Sequence, residues 1–353
     1  MSAAFTFPTT SRLAHPEQGD IEVHIPDGFL DAKTAVATGV LATAGLGLAL
    51  AGVRRTVPPR RIPLIGLAAA FVFAAQMLNF PVAGGTSGHL IGAVLAAVLL
   101  GPSAAVLVMS AVLILQCLMF ADGGVTALGA NVFNMALVAP AVGYGVYRLL
   151  RRLAGEGLRG RLFATAFAAW CSTVAAAISC AGQLALSGTV PLRVALPAMG
   201  GIHLLIGLGE ALITTLVVAA VARVRPELLL EQTGPRLQPR YGELAARGLL
   251  VALGLAFFVV PFASGWPDGL EKVAATFGFE HRAAVGSVLG APLPDYQFPG
   301  VGSAALSTVI GVVVGTLIAF GLAWLLAALL TPAQRAGAHP GGKGEAPGAP
   351  RAA

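Results

Sequence analysis

Charge is the scarcest property of this chain. Acidic and basic side chains make up 11% of its 353 residues, against 56% hydrophobic, and the mean hydropathy is +0.82. That balance excludes a soluble globular protein and predicts an all-α, polytopic protein of the cell (plasma or inner) membrane. Cysteine is nearly absent as well. Cys117, Cys171 and Cys180 all fall inside apolar runs with no CxxC spacing, which excludes a disulfide framework and a thiolate metal site and leaves them as small core residues. No Gly-x-x-x-x-Gly-Lys-Ser/Thr loop occurs, so any ATP must be hydrolysed by another chain. Residues 1–22 lack a basic stretch followed by a continuous apolar run. They do not read as a signal peptide and are expected to be disordered. The formal charge of +6 would suggest nucleic acid in a soluble chain. Here the arginines cluster in short loops and read as topology signals, so the bilayer is the partner and nucleic acid is not.

Apolar runs able to span a bilayer, at about 20 residues each, fall at 34–53, 62–80, 103–121, 127–150, 162–187, 200–223, 245–262 and 303–330. A shorter run at 89–101 brings the expected number of crossings to nine. With the N-terminus outside and alternating helices, inner loops receive seventeen basic residues and the outer side five: Arg12, Lys33, Arg193, Lys272 and Arg282. That positive-inside bias supports N-out, C-in and depends on the short run crossing. Residues 226–246 are polar and Pro-rich. They predict a cytoplasmic linker between a seven-helix unit, 23–225, and a two-helix unit, 247–330, whose outer loop runs over about 263–300. The tail at 331–353 is dominated by Ala, Gly and Pro and is expected to be disordered.

Six histidines are the candidates for chemistry. His15 and His339 lie in expected disorder, and His281 sits between Glu280 and Arg282 in the outer loop, where a solvated run is the default. His24, in VHIPDGFL at 23–30, and His89, in GGTSGH at 84–89, occupy polar breaks beside apolar runs. Each alone reads equally as an interfacial histidine or as a ligand; together they suggest one divalent-metal site. His203 and Glu210 fall in one apolar helix, two turns apart on one face. They read either as a hydrogen-bonded structural pair or as support for metal ligands. A rival function comes from Gly85-Thr86-Ser87-Gly88 with His203, a combination open to an intramembrane serine protease in which Ser87 attacks and His203 is the base. Ala35, Gly39, Thr43, Gly47 and Ala51 form a small-residue stripe that either packs internally or docks a membrane partner.

HIPDGFL at 24–30, NFPVAGGTSGHLIGAVLAAVLLGP at 79–102, GANVFNMALVAPAVGY at 129–144 and GIHLLIGLGEAL at 201–212 resemble the substrate-binding membrane subunit of cobalt and nickel energy-coupling-factor transporters. PDGLE at 267–271 and LPDYQFPG at 293–300 are similar to the PDGLE domain fused or co-encoded with nickel-type members. The resemblance implies capture of Ni(II), or Co(II), from outside as transported substrate, with no organic cofactor. Its implied partners are a membrane coupling (T) subunit and cytoplasmic ATPase (A) subunits, with the stripe and the inner arginine loops as docking surfaces.

The family's metal nest uses a free N-terminal amine, the amide and side chain of the second residue, and a histidine of the Gly-rich loop. Carried over, these fall on position 23, on His24 twice and on His89. Four nitrogens in a plane suit Ni(II). Here Val23 stands where the family has its initiating methionine, with 22 residues before it. A free amine at Val23 is therefore expected only if translation starts there, as a GTG codon would allow; otherwise a water or Asn79 would have to complete the set.

Overall fold

The computed structural model describes residues 24–155, 157–229, 241–284 and 289–331. Val23, the N-terminal extension, His15, His339, residues 230–240 of the linker and the tail beyond Thr331 lie outside these.

The chain is a multi-pass helical bundle. Helix α1 (Ala32–Thr56) starts where the Asp31 side chain accepts from the Thr34 N–H, 3.0 Å, and ends on Arg54 and Arg55, cations suited to a C-terminal dipole. Helix α2 (Ile62–Gln76) leads into a two-stranded ribbon, β1 (Phe80–Val82) and β2 (Thr86–Gly88), around the Gly-rich loop. Helix α3 (Ala93–Leu100) turns at Gly101-Pro102 into α4 (Pro102–Phe120). Then come α5 (Leu128–Asn131), a π-helical stretch (Val132–Val138) and α6 (Ala139–Leu153) as one continuous run. Pro140, near the start of α6, has no N–H to give the preceding turn, a local reason for the wider π register. Helices α7 (Leu158–Leu186) and α8 (Leu192–Val224) form a long hairpin. After the linker follow α9 (Tyr241–Phe258), α10 (Gly269–Phe277) and α11 (Ala304–Leu330).

Among the described residues, six helices have the length and apolarity of a span: α1, α4, α7, α8, α11 and the α9 run to Phe262. Of the nine expected crossings, those at α2, α3 and α5–α6 differ in form. At eight residues, α3 rises only about 12 Å, short of a bilayer core of about 30 Å. Gly92 (φ 79°) and Gly101 (φ 92°) delimit it, both at positive φ that favours glycine. The segment before it, Gly88 to Gly92, is non-helical and largely buried, the circumstance in which irregular backbone is tolerated at membrane depth.

Helix α4 is apolar on all sides and central, packing against α1, α2, α3, α11 and the π stretch. The second unit shares this core. Tyr296 of the 263–300 segment stacks on Phe120 of α4 and Phe73 of α2 meets both at a tilt, with Val312 and Ala319 of α11 in the same cluster. Its segment from 263 to 300 carries α10, which was expected only as loop. Helix α9 also starts inside the expected linker, since polar Glu243 and Arg247 hide a helix start from hydropathy.

Candidate metal centre

The segment after residue 23 is pinned at every step. Ile25 exchanges two bonds with the Asn131 side chain (N to Oδ1 3.0 Å; Nδ2 to O 3.1 Å), and Gly124 N donates to Ile25 O, 2.9 Å. Asp27 Oδ1 accepts from the Thr126 amide (2.7 Å) and hydroxyl (2.5 Å). At Gly28 (φ 93°) a Cβ would stand 2.2 Å from the Arg282 carbonyl, so only glycine serves. Phe29 meets Phe279 edge-on, centroids 5.3 Å apart. The second unit thus closes over this segment, and Ala284 N donates to Asp27 O, 2.8 Å.

His24 is 4% exposed. Its Nδ1 lies 2.8 Å from Asp122 Oδ1, and its Nε2 is buried with no hydrogen-bond partner. Tyr296 donates its hydroxyl to Asp122 Oδ2, 2.5 Å. Burial and the Asp122 charge push the Tyr296 phenol above its ordinary value, so it stays a donor.

His89 comes to the same place from the Gly-rich loop, its ring centroid 6.0 Å from that of His24. An imidazole nitrogen is roughly 1 Å from its ring centre and a first-row ion about 2 Å beyond it, so two rings on opposite sides of one ion have centroids about 6 Å apart and rings at right angles about 4.5 Å. His89 Nδ1 is 3.2 Å from the Leu90 carbonyl, and His203 Nδ1 is 2.7 Å from the Met199 carbonyl. A carbonyl only accepts, so both rings donate from Nδ1 and keep the Nε2 lone pair.

All three histidines line one cavity of about 80 Å³, with Asn131, Asn134, Cys180 and Met199 from the bundle and Asp268-Gly269-Leu270 from the second unit. Asp268 caps α10, accepting from Glu271 N at 2.8 Å while Glu271 Oε2 accepts from Asp268 N at 2.8 Å. Burial, then the Glu271 charge, raises the Asp268 carboxyl well above its usual range.

The other candidates are placed as follows. His203 and Glu210 do share a face of α8, but they do not bond each other. Glu210 Oε2 accepts from Ile91 N at 2.6 Å and its Oε1 from Gly92 N at 3.0 Å, holding the loop that carries His89. Asn79 is not in the cavity: its carbonyl accepts from Ser264 N, 2.7 Å, and its Oδ1 is buried without a partner. Ser87 lies in strand β2, fully buried; its hydroxyl donates to the Trp266 carbonyl at 2.7 Å and it is absent from the lining that includes His203. Among the described residues it meets no base, which leaves the protease reading without support. In the α1 stripe, Thr43, Gly47 and Ala51 are exposed and Ala35 and Gly39 half-buried, while Thr34, Thr38, Ala42, Ala49 and Val53 face the core. The stripe therefore fronts the outside of the bundle.

Sequence reasoning missed Asp122, Asn131, Asp268 and Tyr296. Asp122 had a legible signal: Ala121-Asp122-Gly123-Gly124 is a polar, Gly-rich break between two apolar runs, like those around His24 and His89.

Among the described residues, no three or more His, Cys, Asp or Glu side chains converge closely enough to hold an ion by themselves. His24 and His89 offer two imidazoles, and an ion there would need further donors from the backbone or elsewhere. The Nδ1 to Asp122 bond bears on the chelate carried over from the resemblance. A six-membered ring from the His24 amide closes through Nδ1, so it requires the imidazole to turn and pass Nε2 to Asp122; the arrangement seen here offers Nε2 instead.

The helical bundle carries a histidine-lined cavity bordered by Asp268, Gly269 and Leu270 of the second unit, and it thereby places imidazole nitrogens, donors that suit divalent first-row ions, inside a membrane protein. The chain belongs to the family of the cobalt uptake substrate-specific transmembrane region (CbiM), whose model matches residues 24–228, and it carries a PDGLE domain at 242–332. It is 40% identical over 308 residues to the putative fused nickel transport protein NikMN of Archaeoglobus fulgidus, covering 86% of this chain and 98% of that one. With the fused nickel transport protein NikMN of Rhodobacter capsulatus it shares 34% over 351 residues, 89% and 100% of the two chains. A cobalt transport protein CbiM of Streptomyces coelicolor is 34% identical over 231 residues, 61% and 98%. A crystal structure of a transition metal transporter is similar at TM-score 0.53 and 34% identity, covering 64% of this chain and 98% of that one. This is a multi-pass membrane protein of a nickel and cobalt transport family.

Proposed function

We propose that this chain is the substrate-specific subunit of an ATP-driven energy-coupling-factor transporter, capturing Ni(II), or Co(II) second, from the outside. The observation that carries the reading is the approach of His24 and His89, from two distant polar breaks, to 6.0 Å in the lining of one cavity. Nitrogen donors suit Ni(II) and Co(II). The seven-helix unit at 23–225 holds the site and the second unit, from Tyr241 on, borders it, with the stretch between them as a cytoplasmic linker.

Further donors come from the backbone. If Val23 is the first residue, its amine and the His24 amide complete a planar nitrogen set once the His24 ring turns to offer Nδ1 and leaves Nε2 to Asp122, and binding releases protons because amine and amide must be deprotonated. If it is not, a smaller set on His24 and His89 binds less tightly. Energy comes from partners: a membrane coupling subunit docking on the stripe of Ala35, Gly39, Thr43, Gly47 and Ala51, and ATPase subunits meeting the inner arginine loops.

Elemental analysis of the purified full chain tests this. Wild type is expected to carry one nickel or cobalt per chain, lost in His24→Ala and in His89→Ala. Metal retained in both variants would sink the reading. Intact mass of the metal-loaded protein decides whether residues 1–22 are present.

A further inference from the structure

We propose that Tyr296, supplied by the PDGLE unit, is a positioning residue of the metal site: its hydroxyl fixes Asp122 so that the carboxylate holds one nitrogen of His24 and turns the other into the cavity. The inference rests on the metal-capture reading above and adds that the second unit is a structural part of the site.

Three observations carry it. First, the hydrogen bonds form an unbroken line, Tyr296 hydroxyl to Asp122 Oδ2 (2.5 Å) and Asp122 Oδ1 to His24 Nδ1 (2.8 Å), ending on an Nε2 that is buried and has no protein partner. A ligand imidazole held on its far nitrogen by a carboxylate has its tautomer and direction fixed, and an oriented carboxylate needs its own partner.

Second, the backbone is strained on both sides of that line. Among the described residues only Ala121 (φ 57°), Asp295 (φ 52°) and Tyr296 (φ 60°) are non-glycine residues in the left-handed region. The first immediately precedes Asp122; the other two present the tyrosine. For a bulky side chain this conformation persists only where the surroundings impose it. They do: Tyr296 stacks on Phe120 with centroids 4.5 Å apart, Leu293 N donates to Met119 O at 2.9 Å, and Gly311 lets the Tyr296 carbonyl approach to 2.1 Å from where a Cβ would be.

Third, the same line reaches the second histidine segment. Asp122 N donates to Gln116 O (3.1 Å), Gln116 Nε2 to Gln76 Oε1 (2.9 Å), and Gln76 Nε2 to Ile91 O (3.0 Å), two residues from His89. The hydroxyl of the second unit thus ends a buried network that spans both ligand-bearing breaks.

The test is calorimetric titration of the full chain with Ni(II) and Co(II), with the visible spectrum of the Co(II) form recorded alongside. Tyr296→Phe keeps the ring stacking and removes only the hydroxyl. It is expected to lower affinity about 10- to 100-fold at unchanged stoichiometry, to change the Co(II) spectrum, and to add nothing further in an Asp122→Ala background. Ser307→Ala is the control. It cuts the bonds from Ser307 Oγ to Phe298 N and O (2.7 and 3.0 Å) and loosens the same segment without touching Asp122, so affinity and spectrum should stay at the wild-type values. Wild-type affinity and spectrum in Tyr296→Phe, full additivity with Asp122→Ala, or an equal loss in Ser307→Ala would each overturn the positioning role while leaving metal capture standing. A wild-type chain that binds neither ion overturns both.

Discussion

The carboxylate of Glu210, in the middle of α8, takes the backbone N–H of Ile91 at 2.6 Å and that of Gly92 at 3.0 Å. Helix α3 starts at the next residue with no side-chain cap of its own, so Glu210 of another helix anchors the two residues that lead into it. Glu210→Gln keeps the shape but sets an amide N–H₂ against one of these donors. Leaving a buried donor unpaired costs about 1–3 kcal/mol. We expect lower thermal stability and several-fold weaker nickel binding at unchanged stoichiometry. Equal dissociation constants for the variant and wild type would separate this contact from His89.

Ser87 gives the opposite expectation. Its hydroxyl donates to the Trp266 carbonyl, and its own N–H donates to Pro267 O, 2.8 Å, so it ties the Gly-rich ribbon to the second unit. Ser87→Ala should cost about 1 kcal/mol of stability with metal binding intact. An active-site phosphonate should leave the wild-type chain unlabelled by mass spectrometry; labelling at Ser87 would revive the hydrolase chemistry.

The small-residue stripe of α1 can be tested without disturbing the fold, because a Cβ at Gly39 or at Gly47 would meet nothing within 4 Å. Gly39→Leu and Gly47→Leu should leave metal content at wild-type levels and reduce co-purification of the coupling subunit. Full recovery of the complex from both variants would count against docking there.

Asp268 gives a pH dependence. Its carboxyl is raised well above its ordinary value of 3.8 by burial and then by the Glu271 charge, so the folded state prefers the protonated form. A raised acid stabilises fully below 3.8, and that contribution is lost as pH rises through the folded-state value. Asp268→Asn cannot ionise and still caps α10. Thermal unfolding of the metal-free chain should show the variant at least as stable as wild type near neutrality, with the gap closing as pH falls toward 3.8. A gap that widens on acidification would mean the wild-type carboxylate is stabilised as an anion.

The lengths and polarity of the apolar runs fixed the helical membrane class, because a bilayer leaves few ways to satisfy a backbone. The polar breaks around His24 and His89 were visible for the same reason: a histidine beside glycines in so apolar a chain has few other uses. Hydropathy cannot see that Gly92 and Gly101 cut the run at 89–101 to eight helical residues, or that α10 forms within a segment too polar to span. Nor does local sequence tell which distant groups share a buried pocket. That His24 leans on Asp122, that Asp122 is held by Tyr296 of the second unit, and that Glu210 grips the His89 loop rather than His203 are all long-range pairings. They follow from the demand that each buried polar group find a partner, and only the packed tertiary structure determines which partner is within reach.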